Sequence, residues 1–184
     1  MITNALRSTV LAGFPHGTPL VVAAADSAAY AEVLSARADP AVLLLSFDDV
    51  AAGDERLAAA QNVLLEGLDA AEDPVALLTS LRAGAPLARV FALVANAAHV
   101  RGLAAAFAGS FPGGHPLVRA ELEPLFIAAG WTPLAVTPIA DPTIVLPHAP
   151  PFVFALGSIT IGVDDGEIAE RSTVAAYVVV ADRA

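Results

Sequence analysis

Short apolar runs, spaced along the chain and separated by helix-like segments, constrain this sequence more than any other feature. Residues 19–25 (PLVVAAA), 41–47 (AVLLLSF), 61–65 (QNVLL) and 88–95 (ARVFALVA) read as strands with little polar alternation. Strands of that kind are buried on both faces, which requires helices on either side of a mainly parallel sheet. The intervening segments supply helices. Residues 27–38 (SAAYAEVLSARA) follow an N-cap at Asp26 or Ser27. Residues 74–84 open on Pro74, where a missing N–H costs nothing, and close on Gly84. Residues 96–108 and 117–129 read as two more, the second ended by Gly130. Further strands are expected at 131–138, within 152–163 and at 173–182, with Asp165-Gly166 as a tight hairpin turn. The expected fold is α/β: a Rossmann-like, mainly parallel sheet with helices on both faces and antiparallel C-terminal strands. One domain over 1–184 is expected, with an N-terminal extension over 1–18 and an insertion over 139–172 before the last strand.

Composition narrows the function. The 184 residues carry 9 basic against 19 acidic side chains, a net charge of -10. A nucleic-acid binder displaces counterions with cations, so nucleic acid is not an expected partner. Every basic residue is Arg, and the absence of Lys removes Schiff-base chemistry and the phosphate-loop lysine. The absence of Cys removes thiol nucleophiles and cysteine metal sites. The uncharged run 142–163 has the length of a membrane span but contains Pro142, Pro147, Pro150 and Pro151. Those prolines would break a helix repeatedly, so a loop and a buried strand are expected, in a cytoplasmic protein with no membrane partner.

One stretch carries a family likeness. Val63-Leu64-Leu65-Glu66-Gly67-Leu68-Asp69-Ala70-Ala71-Glu72-Asp73-Pro74 resembles the fourth strand and following loop of class I S-adenosylmethionine-dependent methyltransferases. In the same order follow Val94-Ala95-Asn96-Ala97-Ala98-His99, Gly109-Ser110-Phe111-Pro112 and Ala128-Ala129-Gly130-Trp131, then a closing strand at 177–181. The resemblance implies that fold and S-adenosylmethionine as a possible cofactor. It places cofactor contacts at Ala24, Asp26, Asp48, Asp49 and Asn96.

The first half departs from the family pattern. There, an acidic residue and G-x-G-x-G join the first strand to its helix, because bare main chain lets the cofactor approach. This chain has Ala23-Ala24-Ala25-Asp26-Ser27-Ala28, with no glycine. An Ala forced into the left-handed region costs about 1–2 kcal/mol. Asp26 would also place like charge near the cofactor carboxylate. The short spacing between the second and third strands implies that a strand–helix unit is missing or reduced to 54–60. The expectation is therefore a scaffold kept and a cradle eroded: a pseudoenzyme used as a binding or assembly module, with no cofactor held tightly. The alternative is an active small-molecule or glycan O- or N-methyltransferase with an atypical cradle.

Candidate chemistry is sparse. His99 follows Asn96 just past a strand's carboxyl end, where open α/β sheets place their sites. It is either a general base toward a substrate hydroxyl or a helix-start residue bonded to backbone. Glu66 is either a substrate-facing carboxylate or part of a solvated acidic loop. Asp48-Asp49 are either ribose ligands or a solvated turn. His16, His99, His115 and His148 show no metal-ligand spacing, so no metal is expected. The run at 164–167 lacks the spacing of a calcium loop. The apolar segment 151–163 could pair across a two-fold axis, giving a homodimer.

Overall fold

The structure is a computed structural model that describes residues 2–107, 109, 116–144, 151–156 and 159–184. Four of the apolar runs become parallel strands: β1 (Leu20–Ala24), β2 (Val42–Ser46), β3 (Asn62–Glu66) and β4 (Arg89–Ala95). Toward the C-terminus come β5 (Trp131–Ala140), a separate hairpin of β6 (Phe152–Leu156) and β7 (Ile159–Val163), and the last strand, β8 (Val174–Arg183). β8 lies antiparallel between β4 and β5, and the sheet runs β2-β1-β3-β4-β8-β5. The mainly parallel sheet with antiparallel C-terminal strands is thus as the sequence implies.

Strand parity divides the core into two layers. Leu20, Val22, Ala24 and Leu64 face α1 (Asn4–Ala12) and α2 (Ser27–Arg37). Val21, Ala23, Val63 and Leu65 face the other side, toward α3 (Phe47–Ala51), α4 (Pro74–Gly84) and α6 (Arg119–Ala128). Trp131 anchors that second layer: it is 2% exposed, and its indole N–H donates to the Leu78 carbonyl at 3.0 Å. Gly130, at φ 80, reverses the chain between α6 and β5 under the Arg82 side chain, where a Cβ would lie 3.1 Å from Nε.

Several expectations need correction. The extension 1–18 contains a helix, α1, N-capped by Thr3, whose hydroxyl accepts from Leu6 N at 3.3 Å. Asp165-Gly166 turns no hairpin; Gly166 opens α7 (Gly166–Thr173), and the Asp165 carboxylate accepts from Ile168 N at 3.4 Å. The helix expected from Asn96 starts at Val100, as α5 (Val100–Phe107), because Asn96 is committed to the loop before it. Between β2 and β3 stand α3 and one 3-10 turn, Glu55–Leu57, so no strand intervenes and β2 forms a sheet edge. Ser110, Phe111, Pro112, His115 and His148 lie outside the described residues.

Candidate functional site

The carboxyl ends of β1–β4 share one edge of the sheet, and two polar clusters gather there. The front cluster begins with β3. Parity turns Glu66, like Leu64, toward α1 and α2, where it is 6% exposed. A buried carboxylate needs a cation or donors. Arg7 of α1 supplies them: Nη2 donates to Oε1 at 2.5 Å, and Nε lies 3.0 and 3.1 Å from the two oxygens. Arg7 is itself 9% exposed, its guanidinium lies 5.4 Å from the Tyr30 ring centroid, and its Nη1 donates to Asn4 Oδ1 at 2.8 Å. The Tyr30 hydroxyl sits beside Glu66 without hydrogen-bond geometry. Burial, then the Glu66 charge, pushes that phenol above its ordinary range. Burial opposes the Arg7 charge, but the hydrogen bond and charge of Glu66 outweigh it and hold the guanidinium protonated.

The turn after β1 lies against this cluster. Ala25 N donates to the Glu66 carbonyl at 3.1 Å. Gly67, at φ 89, packs on Ala25 so closely that a Cβ there would stand 2.7 Å from the Ala25 Cβ. The ends of β1 and β3 are ladder neighbours, Ala24 paired with Glu66, and Ala25 just beyond them is exposed. Ala24 is buried, and Asp26 spends its carboxylate capping α2, accepting from Ala29 N at 3.1 Å. Among the described residues the one non-glycine at positive φ is Ala38. The β1–α2 turn thus avoids the left-handed strain expected of alanines in a glycine turn, because it follows a different path.

Asp48 and Asp49 do not end a strand in solvent. Both sit in the first turn of α3, where Asp49 forms a reciprocal cap with Ser46. Its Oδ2 accepts from Ser46 N and Oγ, both at 2.8 Å, and these bonds hold the carboxyl below its usual range. The acidic loop is also built rather than merely solvated: Asp73 caps α4, accepting from Ala76 N at 2.9 Å, and burial raises Asp69.

The rear cluster joins the ends of β4, β5 and β8. Asn96, 4% exposed, donates from Nδ2 to the carbonyls of Arg171 and Val174, both at 2.8 Å, and accepts from Ala98 N at 3.0 Å. It ties the start of β8 to the end of β4, a structural task that fills its polar atoms. His99 is 4% exposed, with Nε2 3.4 Å from Asp141 Oδ2 but no hydrogen bond there. Burial pushes the imidazole below 6.5, and the Asp141 charge opposes that shift. Asp141 accepts from Thr143 N at 2.8 Å and Thr143 Oγ1 at 2.6 Å, and lies 3.5 Å from Arg101 Nε. Despite desolvation, these partners hold its carboxyl low. Neither Asp141 nor Arg7 shows in local sequence, because each meets its partner only through the fold. Among the described residues no group of three or more His, Asp or Glu side chains could hold a metal.

A different cleft, of about 410 Å³, opens at the opposite end of the sheet between Gln61, Leu87, Arg89 and Arg183. Among the described residues no helix is long and apolar enough to cross a membrane.

No protein-family model matches the sequence, and no curated protein does. Solved structures do match. A methyltransferase in complex with the Haloferax volcanii Trm112 activator superposes with a TM-score of 0.59 at 18% identity, over 98% of this chain and 88% of that one. Magnesium protoporphyrin IX methyltransferase from Synechocystis PCC 6803, with S-adenosylhomocysteine bound, gives 0.51 at 12% identity, over 98% and 82%. The methyltransferase CalO6 gives 0.55 at 18% identity over 97% of this chain, which spans 54% of its length. The chain therefore has the class I S-adenosylmethionine-dependent methyltransferase fold. The residues at its front edge do not fit that cofactor in the manner the family resemblance implies. The turn after β1 contains no glycine, and the carboxylates of Asp26 and Asp49 already cap helices.

Proposed function

We propose that this protein is a methyltransferase-fold module that works without methyl transfer, as a cytoplasmic binding or assembly unit. The carrying observation is a β1–α2 turn with no glycine and no positive φ from Ala23 to Ala28. A glycine cradle presents N–H groups to an anionic ligand; here the α2 N-terminus presents the Asp26 carboxylate instead. The net charge of -10 supports a protein or small-molecule partner over nucleic acid. As an assembly unit the chain would pair with a second copy through residues 151–163, where the β6–β7 hairpin lies outside the main sheet and Val153 is 61% exposed. A monomer by light scattering at high concentration removes that pairing. Calorimetry with S-adenosylmethionine and S-adenosylhomocysteine tests the main reading: no saturable heat is expected, and micromolar binding overturns it.

A second reading has one observation in its favour. The His99 imidazole is held neutral, near a fixed carboxylate, at the end of β4. In an active O-methyltransferase, the ring nitrogen turned away from Asp141 would take the proton of a substrate hydroxyl, and Asp141, facing Nε2, would stabilise the resulting imidazolium. Methyl transfer to a hydroxylated acceptor, abolished by His99→Gln, would establish this reading.

A further inference from the structure

We propose that Glu66 and Tyr30 form a cage for a compact organic cation, and that Arg7 is the cage's built-in occupant. The inference does not rest on the proposed function, since the cage is defined by charge and burial rather than by the turn after β1. Its floor is a carboxylate 6% exposed and its wall an aromatic ring with no exposure. An aromatic face beside a desolvated carboxylate is the arrangement that binds guanidinium, sulfonium and alkylammonium groups. Arg7 satisfies both features at once, at 2.5 Å from the carboxylate and 5.4 Å from the ring centroid. The buried Tyr30 hydroxyl, beside Glu66, is a further polar atom in the same place.

The occupant sits on the first helix, at the front edge of the sheet. The C-terminal end of α1 is pinned by Leu11, 2% exposed, and by Arg37, which donates to the carbonyls of Leu11 and Phe14. Toward its N-terminus the polar ties are Arg7 itself and an exposed bond from Asn4 to Glu32 at 3.1 Å, and Ile2 and Leu6 pack, partly buried, against the core. Withdrawal of Arg7 would leave a buried carboxylate uncompensated, a state that strongly favours uptake of another cation. Arg7 is thus a gate: an external cation enters only by displacing it, and the first turns of α1 move with it.

The test uses Arg7→Met, which keeps an apolar stem and removes the charge. Ethylguanidinium and trimethylsulfonium at millimolar concentration are titrated into wild type, Arg7→Met and Arg7→Met/Glu66→Gln, with urea as the neutral control. The expected result is a saturable rise of several degrees in the melting midpoint of Arg7→Met alone, with a matching calorimetric isotherm. Equal shifts in all three proteins, or an equal shift with urea, overturn the proposal. Should Arg7→Met be unfolded without ligand, recovery of its native circular dichroism by ethylguanidinium supports the cage. If it stays unfolded, Arg7→Gln, which keeps an amide donor beside Glu66, is titrated in its place, with Arg7→Gln/Glu66→Gln as the control. A saturable shift confined to Arg7→Gln supports the cage; equal shifts overturn it. S-adenosylmethionine binding by wild type would instead strike the proposed function and leave the cage intact.

Discussion

The front and rear clusters occupy the same edge of one sheet, yet they are finished differently. In front, three carboxylates are engaged: Glu66 with Arg7, Asp26 with the α2 N-terminus and Asp49 with Ser46. At the rear, Asn96 is fully engaged, while His99 keeps a ring nitrogen that bonds to nothing 3.4 Å from a carboxylate. The difference teaches where chemistry remains available. A polar group spent on folding reaches a ligand only by giving up its internal partner, whereas a buried base without a hydrogen bond retains the capacity to accept a proton.

The largest effect should come from breaking the front cluster. Arg7→Ala strands a buried carboxylate and should cost about 3–5 kcal/mol in denaturant unfolding. Arg7→Met combined with Glu66→Leu removes both charges and should regain most of that loss. A single mutant within about 0.5 kcal/mol of wild type would show the pair to be peripheral, as exposed pairs are. At the rear, Asn96→Ala leaves the Arg171 and Val174 carbonyls without this donor and should cost about 2–3 kcal/mol. That loss should appear first as faster hydrogen exchange at the start of β8 and the end of β4, since Asn96 joins them.

His99 sharpens the contrast through pH. Its folded value lies below 6.5 because burial outweighs Asp141, so the unfolded chain binds the proton more readily. The stability gained from a neutral His99 is complete above 6.5 and is lost as pH falls from there through the depressed folded value. The His99→Gln variant should show a flatter stability profile across that window. A titration of the imidazole by NMR that returned a midpoint above 6.5 would mean that Asp141, not burial, governs the site.

Most of the fold was legible because its cause is local. Apolar runs at 19–25, 41–47, 61–65 and 88–95 match the four parallel strands, with β3 reaching one residue further to Glu66, and Pro74 and Gly130 mark helix boundaries where backbone chemistry requires them. The helix α1 was missed because Asn4, Ser8 and Thr9 dilute the apolar stripe of Leu6, Val10 and Leu11. Site legibility was poorer for a physical reason. Glu66 and Arg7 are 59 residues apart, and no short-range pattern announces such a pairing. Glu66 is not the solvated carboxylate that its place in an acidic loop suggested, because strand parity points it into the α1–α2 layer. Asp48 and Asp49 looked like a strand end because the helical turn that follows Ser46 is too short to show a period.

Two alanines provide the finest test of the front turn. Ala38 ends α2 at φ 51, in the left-handed region, so it bears the strain that a glycine would relieve. Relief of about 1–2 kcal/mol, less about 0.4–1 kcal/mol for the freer unfolded chain, should leave Ala38→Gly more stable by about 0.5–1 kcal/mol. Ala25 is the opposite case. It bears no such strain, and its methyl is the surface on which Gly67 rests. Ala25→Gly should therefore lose stability by about 0.5–1 kcal/mol, the ordinary entropic cost of glycine. It should also leave the affinity for S-adenosylmethionine where it was. Methyl groups added to an otherwise intact cradle would behave in the reverse way, with Ala25→Gly opening the site and raising affinity. Calorimetry on that one variant separates a turn that has been rebuilt from one that has only been filled.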